Sequence, residues 1–193
     1  PFRSLDIYGQ EIMRQYWRTG SNNGRPQPHI YAIAEDAYRS AIDSLQQSAK
    51  GEDQSILVSG ESGAGKTVTT KFILQYFAVV SQQSDPSTRG IESQVLESNP
   101  ILESFGNART MRNDNSSRFG KFMEMQFERR GSLESASVQT YLLEKVRLIS
   151  QAPGERNYHV FYELLAGLPQ RERRTLHIAG RRPMDFRMTC ISG

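Results

Sequence analysis

Two short stretches of this chain bring together residue types that do chemistry. Residues 60–67 read GESGAGKT, so Gly60, Gly65, Lys66 and Thr67 meet the spacing G-x-x-x-x-G-K-[ST]. Gly60, Gly63 and Gly65 permit backbone conformations and close approaches that a Cβ would block. The N–H groups of the loop, through Glu61, Ser62 and Ala64, can then turn inward as a nest for phosphate oxygens. Lys66 adds a point charge for the β- and γ-phosphates, Thr67 a hydroxyl for Mg²⁺, and a helix starting near Gly65 contributes a partial charge of roughly +0.5. The second stretch, NDNSSRFGK at 113–121, carries two amides, an acid, two adjacent hydroxyls, an arginine and a lysine. Phosphoryl transfer to water needs a further metal ligand, donors on the γ-phosphate and a group to place the water, and these residue types supply all three. An Asn/Ser-rich turn leading into a strand is the alternative. A phosphate cradle alone leaves the reaction open, since kinases, transporters, switches and motors all hold phosphate chains.

These residues need elements to position them. SILVS at 55–59 is a short apolar run followed at once by glycines, which predicts a buried, central, parallel strand. After Thr67, the stripe Phe72, Ile73, Tyr76, Phe77 and Val80 predicts a helix, completing strand, loop and helix. Upstream, Ile30, Ile33, Ala34, Ala37, Tyr38, Ala41, Ile42 and Leu45 mark an amphipathic helix over 29–48, started by Pro28. A shorter helix around Gln10–Arg18, packed by Tyr16 and Trp17, precedes the loop 20–28. SQQSDPSTRG at 81–90 reads as a surface loop, and Ile91–Phe105 as a helix in which Pro100 implies a kink or break. From Lys121 to Arg129 the period becomes two, predicting a strand that RRGS at 129–132 turns and ASVQTYLLE at 136–144 returns antiparallel. APGE at 152–155 turns again, before a helix with Tyr158, Phe161, Tyr162 and Leu165 that ends on a glycine cap at Gly167.

Composition narrows the class. At 193 residues the chain is long enough to bury a core. With 24 Lys+Arg against 21 Asp+Glu, the net charge of +3 gives no argument for a nucleic-acid partner. Cys190, the single cysteine, excludes an internal disulfide framework and suits a reducing, cytoplasmic compartment. No run of 18 apolar residues and no signal-peptide pattern is present, and the missing initial methionine and the stop at ISG193 lead us to expect a piece of a longer protein.

The text around the two stretches resembles the myosin motor family: HIYAIAEDAY at 29–38, QSILVSGESGAGKT at 54–67, LESNPILESFGNARTMRNDNSSRFGKF at 96–122, YLLEK at 141–145 and GERNYHVFYELLAG at 154–167. The similarity covers nearly the whole chain, with Asp114 and VRLIS at 146–150 departing from the usual pattern. The resemblance implies an α/β P-loop NTPase, a mixed β-sheet flanked by helices, forming part of a motor domain over 1–193 that continues beyond. Residues 1–8 would be its purine-binding loop with Tyr8 against adenine, 60–67 its P-loop and 113–121 its switch I. It further implies ATP and Mg²⁺ as cofactors, Asn113 as a donor to the phosphates, and Thr67 with Ser117 on the metal. Ser116 would sit beside the attacking water, and Arg118 would pair with a switch II glutamate outside this chain. Lys66, Ser116, Ser117 and Arg118 are thus the implied catalytic set. Actin filaments are the implied partner, through regions outside 1–193, with light chains on a neck that is also outside, in a cytoskeletal myosin complex.

Two other readings stand beside this one. A non-motor P-loop hydrolase or kinase would leave NDNSSRFGKF without a role, and a nucleotide-binding fragment inactive by itself fits a chain lacking switch II. Glu144, Lys145 and Arg147 read as a charged strand edge, and His159 as a packed helix histidine. His29 and His177 lack metal-ligand company. Arginines 171, 173, 174, 181, 182 and 187 read as solvated surface.

Overall fold

A computed structural model of the protein describes residues 5–19, 27–48, 50–84 and 91–190. The expectations for residues 1–4, 20–26, 85–90 and 191–193 lie outside these. The elements are α1 (Gln10–Thr19), α2 (Ile30–Gln47), α3 (Lys66–Ser84), α4 (Ile91–Gly106), β1 (Asn107–Thr110), β2 (Asn113–Ser117), β3 (Gly120–Phe127), β4 (Leu133–Tyr141), α5 (His159–Gly167) and α6 (Gln170–Thr175). Short 3₁₀ turns cover Lys145–Leu148 and Pro183–Asp185. Helices with small antiparallel sheets are consistent with the α/β P-loop class. The chain divides into two compact units: residues up to Leu96 with Met123–Ser137, and Glu97–Phe122 with the residues from Val138 on.

The first unit is built on α3. Its buried face, Ile73, Tyr76, Phe77 and Val80, packs with Tyr31, Ala34, Tyr38 and Ile42 of α2 and Met13 of α1. Ile42, Ile73, Phe77, Val80 and Met13 each contribute about 1.5–3 kcal/mol on burial. Tyr31 and Tyr76 stack with centroids 5.3 Å apart, and Phe127 meets Tyr38 and Phe77 edge-on. Tyr16 and Trp17 pack on this core as expected. At the start of α2, His29 caps the helix by accepting from the Tyr31 N–H, which Pro28 alone did not reveal.

Three expectations change in this unit. The α2 stripe holds at Ala34, Tyr38 and Ile42 but fails at Ile33, which is 54% exposed, while Glu35 is buried. Glu35 tolerates burial because the Tyr76 hydroxyl donates to it at 2.6 Å and Arg39 pairs with it. Residues 55–59 form no strand among the described residues, and Leu57 is 90% exposed. A strand needs a ladder partner, and this segment instead leans on the core through Ile56 and Val58. Residues 81–84 continue α3 rather than opening a loop, because Ser81 is buried and accepts from the Leu133 N–H at 2.7 Å.

Elsewhere, β3 and β4 pair as expected, with Ser135 on Gln126 and Ser137 on Glu124, so the strands run antiparallel. The turn places Gly131 at φ +90° and offers its carbonyl to Tyr38 at 2.8 Å. Helix α4 runs through Pro100 unbroken. Gly167 is the last residue of α5, but the cap is Leu168, whose N–H returns to the Leu164 carbonyl at 3.2 Å; the left-handed glycine cap is absent there. Removing the Tyr76 hydroxyl would leave buried Glu35 short of a donor. Tyr76→Phe is expected to cost about 1–3 kcal/mol of stability, read as a lower urea midpoint at unchanged slope.

Candidate functional site

The GESGAGKT loop sits in the first unit. Gly60, Gly63 and Gly65 have φ of +155°, +82° and +91°, conformations that side-chain-bearing residues rarely adopt. A Cβ on Gly60 would also stand 3.1 Å from the Ala64 Cβ. The loop closes through an Ala64 N–H bond to the Glu61 carbonyl at 3.2 Å, and α3 opens with Thr69 N–H on the Gly65 carbonyl at 2.9 Å. The N–H groups of Lys66, Thr67 and Val68 therefore precede the first intrahelical bond. The Lys66 ammonium folds over the loop onto the Gly60 and Glu61 carbonyls, at 2.6 and 2.9 Å. A cation, unpaired first-turn donors and the positive helix end converge on one spot, which is the donor set an oxyanion needs. Thr67 is half-buried beside it.

Next to the loop lies a cleft of about 220 Å³ lined by Tyr8, Ile30, Ala64, Val68, Thr69 and Phe72. Tyr8, far away in sequence, is thus brought beside Ala64. Its ring stacks on Phe72 with centroids 4.0 Å apart and 7° between planes, and its carbonyl accepts from the Tyr31 hydroxyl at 2.9 Å. Burial, with Tyr8 nearby, pushes the Tyr31 hydroxyl up to about 12, so it remains a donor. The cleft combines the aromatic Tyr8 and Phe72 and the aliphatic Ile30 and Val68 with polar surface, and suits a flat ring system attached to an anionic chain.

The NDNSSRFGK stretch belongs to the second unit, and its first five residues form a strand where the alternative reading had an Asn/Ser-rich turn. Asn113–Ser117 is strand β2, antiparallel to β1 with Ala108 opposite Ser116 and Asn107 opposite Ser117. Strand alternation separates the two hydroxyls: Ser116 is buried and Ser117 exposed. Ser117 is the one open to an incoming ion. Asn113 is turned into its own strand, accepting from the Asn115 N–H at 3.0 Å, and Lys121 donates to Asn99 at 2.8 Å. Asp114 pairs with Arg109 at 3.0 Å. His159 is more than helix packing, since its Nε2 lies 3.1 Å from the Asn115 Oδ1. No group of three or more His, Cys, Asp or Glu side chains fit to hold a metal occurs among the described residues.

Arg118 donates from Nε to Glu144 at 2.7 Å. The expectation of a charged strand edge at 144–147 is corrected: β4 ends at Tyr141, and Arg147 on the following 3₁₀ turn is buried, with Glu144 and Glu155 at 2.8 and 2.9 Å. Burial would raise the Glu144 carboxyl, but hydrogen bonds and charge from Arg147 and Arg118 outweigh it and hold it below the ordinary glutamate range. Burial likewise opposes charge on Arg147, and Glu144 and Glu155 overcome it. A depressed carboxyl stabilises the fold above its unfolded value of 4.5 and loses that contribution as pH falls through the folded value. Urea midpoints are therefore expected to drop more steeply on acidification below this range in the wild type than in Glu144→Gln.

The sequence profile of the myosin head (motor domain) matches residues 1–192. Unconventional myosin-Va of Gallus gallus is 49% identical over 178 residues, covering 92% of this chain and 9% of that protein. Myosin-7 of Arabidopsis thaliana is 48% identical over 188 residues, covering 97% and 10%, and Myosin-2 of Saccharomyces cerevisiae 46% over 185 residues, covering 92% and 11%. The chain spans about a tenth of the length of the curated relatives it matches. A glycine cradle at a helix start, a polar strand followed by an anchored arginine, and similarity along nearly the whole chain agree: this protein belongs to the myosin head family.

Proposed function

We propose that residues 1–193 form the ATP-binding and hydrolysing part of an actin-based cytoskeletal motor that uses Mg²⁺. The carrying observation is the GESGAGKT loop, with three glycines at positive φ and Lys66 folded over it at the start of α3. Membership of the myosin head family supports the motor reading over a general nucleotide hydrolase or kinase. Myosins as a family use nucleotide with Mg²⁺, bind actin and work with the cytoskeleton.

In this reading the loop N–H groups of Glu61, Ser62, Gly63, Ala64 and Gly65, with Gly60 allowing their approach, hold the phosphates. Lys66 leaves its carbonyl partners for the phosphate chain, and Tyr8 closes the cleft over the base. Thr67 and Ser117 supply hydroxyl oxygens to Mg²⁺, which when bound neutralises phosphate charge as it develops. Asn113 turns from its strand to donate to phosphate. Ser116 takes a proton from the attacking water as it passes its own to a γ-phosphate oxygen, and Arg118 holds the closed arrangement.

Lys66→Ala in the full-length protein is expected to weaken MgATP binding about 10- to 100-fold or more, the range of a charge-assisted phosphate contact. Equilibrium binding of a fluorescent ATP analogue measures this, and unchanged affinity removes Lys66 from its role. The motor reading is tested by phosphate release from the full-length protein in MgATP with and without actin filaments. Stimulation by actin is expected; its absence overturns the assignment.

A further inference from the structure

Arg118 is held at four points. Its N–H donates to the Gly106 carbonyl at 2.8 Å and its carbonyl accepts from the Glu144 N–H at 3.0 Å. Its Nε donates to the Glu144 Oε2 at 2.7 Å and its Nη1 to the Ser116 Oγ at 3.1 Å. Glu144 is itself fixed more firmly than a surface carboxylate. Arg147 donates to both of its oxygens, from Nε at 2.8 Å and Nη2 at 3.4 Å, and the Tyr158 hydroxyl donates to its carbonyl at 2.7 Å. Arg147 is anchored in turn by Glu155 at 2.9 Å and the Arg156 carbonyl at 3.0 Å.

Exposure shows which end of this chain can move. The Arg147 side chain is 4% exposed, while that of Arg118 is 25% exposed. The charges alternate as Arg118, Glu144, Arg147 and Glu155, so each carboxylate is compensated and the buried end has no reason to rearrange. The guanidinium at the rim therefore follows Glu144. Because Arg118 occupies one acceptor site of the Ser116 hydroxyl, fixing the guanidinium also limits where that hydroxyl directs its proton.

We propose that Glu144, clamped by Arg147 and Glu155, is a positioning residue for the hydrolysis step, acting through Arg118 on Ser116. The inference rests on the roles given to Arg118 and Ser116 under the proposed function. Glu144 itself makes no contact with the nucleotide in this scheme. Its removal slows hydrolysis without weakening binding, because its side chain engages Arg118 and Arg147 and not residues 60–67 or Asn113, which hold the phosphates.

A double-mutant cycle in the full-length protein tests this, with MgATP binding and single-turnover hydrolysis measured for wild type, Glu144→Gln, Arg118→Ala and the double variant. Glu144→Gln is expected to slow hydrolysis about tenfold, with nucleotide affinity within about twofold of wild type. In the Arg118→Ala background the same change is expected to add no further slowing. Glu144→Asp, which keeps the charge at a shorter reach, is expected to fall between wild type and Gln, and it carries the test if the Gln variant does not fold. Wild-type hydrolysis in the Gln and Asp variants overturns the proposal, as does a Gln penalty that persists undiminished without Arg118. Wild-type hydrolysis in Arg118→Ala removes the role given to Arg118, and the proposal with it.

Discussion

Helix α3 has to satisfy two demands along one axis. Its first turn must remain open to an anion, with a cation and unpaired N–H groups, while the rest is the most buried helix of its unit. At 19 residues it is about 28 Å long, long enough to separate the two tasks. The core grips Ile73 to Ser81, and rigidity carries that grip to Lys66. Phe72, at the junction, faces both: it packs against the core and carries the Tyr8 ring that lines the cleft. A displaced core would therefore misaim the loop even with every glycine intact.

The second unit solves a similar problem with charge. Buried ion pairs are poor stabilisers, because desolvating the ions offsets most of their attraction. What they contribute is direction. Arg147 is nearly inaccessible, and its two carboxylates leave it one orientation, so Glu144 meets Arg118 from a defined side. Alternation along β2 then does the rest, turning Ser116 into the unit and Ser117 out of it.

What could be read from the sequence was local. The glycine spacing, the helix after it, the α1 and α2 helices and the β3 to β4 hairpin depend on neighbours a few residues away, and all are present in the structure. The misreadings share a cause: a distant partner decides. Glu35 looks like a solvent-facing residue until Tyr76, 41 positions on, donates to it. Residues 55–59 look like a core strand, but apolar content does not supply a ladder partner, and Leu57 is left bare. ASVQTYLLE suggests a strand running to Glu144, whereas β4 ends at Tyr141 and Arg147 and Arg118 hold Glu144 beyond it. His159 gave one weak signal, its place in GERNYHVFYELL, and nothing there pointed to Asn115.

The polar contacts inside the first unit bear on the same issue of aim. Apolar packing between α2 and α3 is non-directional, and a helix held only by Tyr31, Tyr38, Ile73 and Phe77 could rotate by a fraction of a turn at small cost. The bond from Tyr76 to Glu35 removes that freedom, since a buried carboxylate without its donor is expensive. Arg39 completes the tie by reaching from Glu35 to the Trp17 carbonyl at 2.8 Å, so α1, α2 and α3 share one polar node. A rotation of α3 would swing the Lys66 side chain and the first-turn N–H groups with it. The node therefore acts on function through geometry: it fixes the rotational setting of α3, and with it the direction in which the phosphate cradle opens.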